Sequence, residues 1–550
     1  MAQPEYKPLL YTTTMRNPER LKYMLYILAK FKGQVLDDDL ATKIVGETMR
    51  YGLYRPMKQN DSIKEKWKTT PNGVFSEYIL TDTEVEYMLQ NNPQQHKEAG
   101  FSKGFPSRFA TIYDLTKELG LAYFKPSMKI IISDLGEHLL KSIEVNVSGE
   151  EILYEFINPE YEQQVFLQAM AKSQRKNPFV RVLNDNIPLI LLLQTIKLLN
   201  ADNTQNGAGI SRKELPLLIF WKDNNAKTLY KRIVKLRKDY GYNPSDEVII
   251  DICIEEIMNG NYKKFDTKSI IVDYPDEFIR KMRITGLISL RGAGRFIDIN
   301  KNELEKVDYV VNQYANYSHY TSDIAYFNYV SKLDENLIQI KSKPVTATNA
   351  EKLLTNWLNQ YAWETIKKEL SILSSGGTSK DSILKLIAAP TRLEFLTALA
   401  IKSKIQNVRV IPNYSCDDEG LPTSTAGGNR GDIECYEQQN GVLVEVTMAT
   451  GRQQTMMEVW PIERHLTEFQ KERNAQCVFV APSIFSDSLR QIQFVSFQSN
   501  GKKEIRPYAI NDFVEYLEQS PKLYQNYYKT KQQSNYSMVA EASPTKYGKK

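Results

Sequence analysis

Cysteine and histidine are both scarce in this chain: four of each in 550 residues. Cys253, Cys416, Cys435 and Cys477 lie far apart, with no CxxC pair and no clustered Cys/His spacing. That excludes a zinc ribbon or finger and a disulfide framework, and the thiols are expected to be reduced. Long hydrophobic runs are also missing. The longest, Ile187–Leu199, is broken by Gln194 and Lys197 and is too short to span a bilayer, so no membrane association is expected. The opening MAQPEYKPLLYTTT has no basic segment followed by an apolar one, so it is not expected to be a signal peptide. A large charge excess is absent too. At a net charge of +5, any nucleic-acid surface must come from local clusters of basic residues. No solenoid-type repeat is present. The remaining composition, 42% hydrophobic and 25% charged, is ordinary for a globular protein, and the length implies two to four domains. A soluble, cytoplasmic protein is the expectation.

The first 300 residues alternate helical and short β-type stretches. RNPERLKYMLYILAKF reads as a helix, and LDDDLATKIVGETMRYGLY as a second with its acids in the first turn. FPSRFATIYDLTKELGLAYFKPSMKIIISDLGEHLL has the order helix, strand, turn, helix, that of a small winged-helix unit. A second such unit starts with the Ile187–Leu199 helix. It continues through ISRKELPLLIF, where Ser211 and Glu214 have capping-box spacing, to the amphipathic NNAKTLYKRIVKLRKDYG. EFIRKMRITGLISLRGAGRFIDI then reads as a helix end and a β-hairpin with a glycine-rich tip between Arg291 and Arg295. The expected organisation is two winged-helix-like recognition subdomains (1–150 and 151–300), a mostly helical linker (301–365), an α/β domain (366–530) and a disordered tail (531–550). The fold class is therefore multidomain α+β and α/β.

Within the C-terminal domain, SILKLIAAPTRLEFLTALAIKS reads as a helix kinked at Pro390. The strand NVRVIP, a loop, the strands GDIECYE and GVLVEVTM, one helix over QTMMEVWPIERHLTEFQKERN and the strand AQCVFVAPS follow. Asp432 opens one strand and Glu445 lies near the end of the next, inside an apolar run. Pairing of the two strands would set the carboxylates side by side, where they repel unless a cation lies between them. A hard divalent ion such as Mg²⁺, which takes a few oxygen ligands and keeps waters, suits such a pair and would activate water against a phosphodiester. Glu458 and His465, two helical turns apart, share a helix face, and Glu394 on the preceding helix is within reach. On residue types alone, solvated strand-end acids and a structural histidine are the alternative. His96, His138 and His319 have no partner spacing that suggests ligation.

A strand pair carrying an aspartate and then a glutamate, preceded by a helix with a glutamate, resembles the PD-(D/E)xK nuclease core. AGGNRGDIECYE and LVEVTMATGRQQTMMEVWPIERH are similar to the cleavage domain of the AlwI-type family of type IIS restriction and nicking endonucleases. TRLEFLTALA resembles the family's glutamate-bearing helix, MRITGLISLRGAGRFIDI its winged hairpin and TTTMRNPERL its N-terminus. The resemblance implies that Asp432, Glu445 and the Val446 carbonyl hold Mg²⁺, that Glu458 and His465 support the site, and that Glu394 is the acid of the preceding helix. Thr447 stands where the wider superfamily has its motif lysine, so the general base is open. His465, a water ordered by Glu458, and Lys471 are the candidates. A bacterial cytoplasm and a companion methyltransferase are also implied.

A type IIS enzyme binds a short asymmetric site in double-stranded DNA and cuts a few bases outside it. The reading half needs basic side chains on groove-sized elements. Between Arg212 and Lys238 there are nine basic residues and two acidic ones. Lys227, Lys231, Arg232, Lys235 and Lys238 are expected to hold the DNA backbone. Arg283, with Arg291 and Arg295 at the hairpin tip, and Arg16 and Arg20 near the N-terminus are further candidates. One active site cuts one strand. Double-strand cleavage would need a transient homodimer or a small catalytic subunit. The alternatives are a strand-specific nicking enzyme, the large subunit of a heterodimer, or a non-catalytic DNA-binding regulator whose acidic cluster is vestigial.

Overall fold

A computed structural model describes residues 4–8, 18–68, 74–98, 100–155, 158–207, 209–262, 267–428 and 430–525. Arg16 and the segment expected to be a disordered tail lie outside the described residues. Helix starts follow local chemistry. Asp37 caps Asp38–Arg50 by accepting from the Leu40 N–H. Thr81 and Glu84 form a reciprocal capping box on Asp82–Asn91. The Ser211–Glu214 pair makes the same two bonds: Glu214 accepts from Ser211 N–H at 2.8 Å and Ser211 from Glu214 N–H at 3.2 Å.

The described chain forms two compact units. The first takes residues up to 353 together with 378–392 and 414–428; the second takes 354–377, 393–413 and 429 onward. In the first unit, the helix Phe105–Glu118, strands β1 (Ala122–Tyr123) and β2 (Ile131–Ile132) and the helix Asp134–Leu140 follow in the order read from the sequence. β3 (Glu144–Ser148) and β4 (Glu151–Glu155) form a hairpin. The helix Pro188–Ala201 is buried on nearly every side, as its Leu/Ile-rich run, interrupted only by Gln194, Thr195 and Lys197 before Leu199, requires. β5 (Ile210–Ser211), β6 (Ile288–Arg291) and β7 (Phe296–Ile299) make a three-stranded sheet with β7 in the middle. Gly292, Ala293 and Gly294, at the β6–β7 tip, all have positive φ. Of the expected linker, 301–365, residues 301–353 belong to this unit; they include the helices Leu304–Tyr314 and Asp323–Ser331, with Val310, Tyr326 and Val330 fully buried.

The second unit is built on a five-stranded sheet. After β8 (Arg409–Pro412) the chain returns to the first unit for a hairpin of β9 (Tyr414–Cys416) and β10 (Pro422–Ala426), read from the sequence as a loop. It then adds β11 (Ile433–Glu437), β12 (Asn440–Val446), β13 (Asn474–Ala481) and β14 (Ile505–Ala509). The sheet order is β14-β13-β12-β11-β8. β12, β13 and β14 run parallel, and β11 is antiparallel to both neighbours. β12 is central, and its run Gly441–Glu445 is buried throughout, which explains why it is apolar rather than alternating. Leu443, Cys477, Phe479 and Ala481 pack with Val459, Ile462, Leu466, Ile492 and Val495 from the covering helices. Each fully buried large side chain there contributes roughly 1.5–3 kcal/mol.

Two helices differ from the sequence reading. Pro390 does not kink a long helix; it lies in the first turn of Ala389–Lys404, where its missing N–H costs nothing. The helix expected over 454–474 is two, Gly451–Met457 and Val459–Gln470, which meet at Glu458. Pro461 has no N–H to bond back to Met457, so the helix breaks there.

Candidate active site and basic surface

The β11–β12 register pairs Ile433 with Val444, so Asp432 and Glu445 are the next residues across the strands. The Val446 N–H donates to Asp432 Oδ2 at 2.8 Å, and the Asp432 and Glu445 carboxyls share a hydrogen bond. Gly431 makes room for this contact. A Cβ there would lie 2.7 Å from Glu445 Oε1 and 2.4 Å from Leu443 Cδ1. Glu445 is only 6% exposed. Burial, with the charge of Glu458 beside it, pushes its carboxyl up to about 8. Burial and the charges of Glu445 and Glu458 likewise raise Asp432 well above the usual carboxylate range.

His465 reaches the same place from the Val459–Gln470 helix, with Nδ1 2.9 Å from Glu445 Oε1. Thr447 donates to Glu458 Oε1 at 2.6 Å and so fixes that carboxylate at the joint between the two helices. Glu458 caps the Val459–Gln470 helix, its carbonyl accepting from the Ile462 N–H, so it and His465 remain two turns apart on that helix. Gln454, fully buried, bonds the Ala449 and Ser483 carbonyls and the Phe485 N–H, tying the loop after β12 to the loop after β13. Glu394 is buried on the Ala389–Lys404 helix. Lys471 is exposed and paired with Glu468.

Asp432, Glu445 and Glu458 thus converge as hard oxygen donors, and the charge of Glu458 raises both Asp432 and Glu445. Among the described residues no three His, Cys, Asp or Glu side chains form a closed ligand set for a metal. An ion held by the Asp432–Glu445 pair would take its other ligands from backbone oxygen, water or substrate. That is the habit of Mg²⁺ and not of a structural zinc.

A family profile described as AlwI restriction endonuclease matches residues 117–389 and 356–516, which together span 117–516. The chain belongs to the AlwI restriction endonuclease family. This family member is accordingly a site-specific deoxyribonuclease. No curated protein matches it in sequence. Among solved structures it is similar to the small subunit of the heterodimeric restriction endonuclease R.BspD6I, at 21% identity over 32% of this chain and 88% of that one, with a TM-score of 0.24. It is also similar to the restriction endonuclease FokI bound to DNA, at 11% identity over 96% and 98%, with a TM-score of 0.23. At such TM-scores neither likeness bears on the function.

The basic residues of this AlwI-family chain divide sharply. Lys227, Lys231, Lys235 and Lys238 are exposed along one face of the helix Ala226–Tyr240, one per turn. None of the four has an ion pair among the described residues. Arg232, on the same helix, makes a bidentate pair with Glu256. Arg283 is buried and donates to the Pro422 carbonyl at 2.7 Å. Arg291 is held by Asp298 at 2.7 Å, Asp418 at 2.8 Å, the Ile299 carbonyl at 2.9 Å, and Glu419. Burial alone would lower its pKa, but the carboxylates of Asp418 and Asp298 raise it. Arg295 is exposed at the tip, donating to the Gly292 carbonyl. Arg20 is half-buried and donates to the Leu53 carbonyl.

Two residues were missed by the sequence reading. Arg237 is buried and forms a double hydrogen bond with Glu214, which holds the lysine-bearing helix on the Leu215–Ile219 segment. Its spacing from Leu229, Ile233 and Leu236, which places it on the apolar face, was the available signal. Asn413 touches Asp432, and no motif marks it.

Proposed function

We propose that this protein is a type IIS restriction endonuclease: it binds a short asymmetric site in double-stranded DNA and hydrolyses phosphodiesters a few bases outside it, with Mg²⁺. The observation that carries the reading is the abutting, buried Asp432–Glu445 pair with Glu458 beside it, a set of carboxylates with no reason to converge in a purely structural role. The PD-(D/E)xK resemblance of the same segment and the family membership support it.

Asp432, Glu445 and the Val446 carbonyl would hold the ion. A divalent ion bound there supplies Lewis acidity and lowers the pKa of a coordinated water. The chain's own groups do the rest. The Val446 N–H orients Asp432. His465 Nδ1 orients Glu445 and stands ready to move a proton. Glu458, steadied by Thr447, accepts a hydrogen bond from the attacking water. The four lysines of the Ala226–Tyr240 helix hold DNA phosphates, with Arg295 at the tip of the β6–β7 hairpin, in a recognition half of winged-helix type. One such site cuts one strand, so a second copy or a small catalytic subunit completes a double-strand break; without either, the product is a nick.

The test is incubation of the purified protein and of Glu445→Gln with supercoiled plasmid, in Mg²⁺ and in EDTA, with every cut end sequenced. Discrete Mg²⁺-dependent ends at a fixed offset from one asymmetric motif, lost in Glu445→Gln while DNA binding persists, are the expected result. A plasmid that stays supercoiled while a gel shift shows binding would refute the reading and leave a non-catalytic DNA-binding regulator.

A further inference from the structure

Asn413 lies one residue beyond β8, opposite Asp432, where the β8–β11 ladder ends. Its backbone N–H donates to the Asp432 carbonyl at 2.9 Å. Its side-chain amide donates to the Gly431 carbonyl at 2.7 Å and to Glu434 Oε1 at 3.1 Å. Glu434 is held in turn, because Tyr436 donates to its other oxygen at 2.6 Å. Asn413 therefore grips the carbonyls on both sides of Asp432, that of Gly431 before it and its own after it, and the same Nδ2 is anchored on Glu434 of β11.

The position matters because the Asp432 backbone lies just outside the paired strand, while its side chain must meet the Val446 N–H and Glu445. β11 proper begins only at Ile433, and Gly431, without a side chain of its own, sits directly against the Glu445 carboxylate. Residues 414–428, immediately before, belong to the first unit rather than to this sheet. Rotation of the 431–432 peptide would carry Asp432 Oδ2 off the Val446 N–H and away from Glu445.

We propose that Asn413 is a positioning residue for Asp432: its amide locks the peptide before Asp432, so that the Asp432 and Glu445 carboxylates stay side by side for a divalent ion. This rests on the reading of that pair as the ion's ligands. Positioning partners of metal ligands are worth about 10–100-fold in metal affinity or activity.

The experiment compares wild type, Asn413→Ala, Asn413→Asp and Asp432→Asn. The readouts are Mn²⁺ binding by electron paramagnetic resonance without DNA, kcat and KM on a plasmid carrying the site, affinity for a cognate duplex in EDTA, and the thermal midpoint. Asn413→Asp keeps the volume and the backbone bond but turns the donor into an acid facing Gly431 O and Glu434. Both Asn413 variants are expected to weaken Mn²⁺ binding and lower kcat by about 10–100-fold, at unchanged KM, DNA affinity and midpoint. Wild-type Mn²⁺ affinity and kcat in both variants would overturn the proposal. So would losses that track a fall in midpoint and DNA affinity, which mark a merely structural role. Wild-type protein whose Mn²⁺ binding does not depend on Asp432 would overturn the ligand reading and this proposal together.

Discussion

Thr447 Oγ1 donates to Glu458 Oε1 across 2.6 Å, joining the end of the central strand to the break between two helices. A threonine cannot do a lysine's electrostatic work, but it can hold a carboxylate in place. Thr447→Val keeps the shape and deletes the donor. A hydrogen bond to a charged group is worth roughly 1.5–3 kcal/mol, so kcat is expected to fall by about ten-fold or more, with DNA affinity unchanged. Thr447→Ser should retain most of the activity. Equal kcat for the valine and serine variants in single-turnover cleavage would show that the bond has no part in the reaction.

Gly431 is tested by adding one methyl. The Cβ of Gly431→Ala meets Leu443 Cδ1 at 2.4 Å and Glu445 Oε1 at 2.7 Å, both too close to keep. Overpacking of this kind costs about 1–3 kcal/mol in stability. The larger effect is expected in cleavage, because the Glu445 carboxylate is one of the atoms that must yield. A variant that cuts at the wild-type rate would mean that Glu445 has freedom to spare.

The carboxylate pair was legible in the sequence because strand pairing has a period of two and its register follows from the short turn between Glu437 and Asn440. An acid in an apolar run stands out for the same reason that burying it is costly. The basic helix was legible from periodicity, but the fate of each arginine was not. Arg291 and Arg283 are spent on partners more than a hundred residues away, Asp418 and the Pro422 carbonyl, in a hairpin that reads as a loop. Local pattern carries no information on a pairing of that range. The same holds for Asn413, whose importance comes only from which backbone lies opposite it.

Arg291 separates internal from DNA-binding roles. Asp298, 3% exposed, is one of its partners, and Asp418 is another. Removing one member of a buried pair leaves an uncompensated charge, at about 3–5 kcal/mol. Arg291→Ala is expected to lower stability on that scale in chemical denaturation. The dependence of DNA affinity on salt should stay as in wild type. A normal midpoint with a shallower salt slope would instead make Arg291 a phosphate ligand.

Asp417, in the first unit, gives a pH signature of its own. It is fully buried and accepts from the Glu419 and Leu421 N–H groups through one oxygen. Burial pushes its carboxyl up to about 7, with nearby Arg283 opposing. The ordinary value is about 3.9. The folded protein therefore binds a proton that the unfolded chain has already lost across that window. The stability this proton contributes is complete below about pH 4 and is lost as pH rises to 7, at up to about 1.4 kcal/mol per pH unit. Asp417→Asn keeps the accepting oxygen and cannot titrate. Its stability relative to wild type is expected to rise between pH 4 and 7 in urea melts, and a flat difference would contradict the assignment.

The lysine face yields a prediction that separates it from an ordinary solvated surface. Lys227, Lys231, Lys235 and Lys238 fall at intervals of four, four and three, a stripe about 16 Å long at 1.5 Å per residue. Exposed lysines that make no ion pair among the described residues lose little in stability when replaced, so Lys→Gln at all four positions should leave the thermal midpoint in place. If they hold phosphates, each contact released removes one set of condensed counterions. The slope of log affinity against log salt then falls by about 0.9 per lysine, or roughly 3–4 for the quadruple variant. The loss should be nearly uniform across cognate and unrelated duplexes, because phosphate contacts carry no sequence information. Arg232→Gln on the same helix is the internal control. Its guanidinium is already committed to Glu256 in a two-point pair, so it should change the slope by less than one. Equal slopes for the quadruple variant and wild type would remove this helix from the DNA interface.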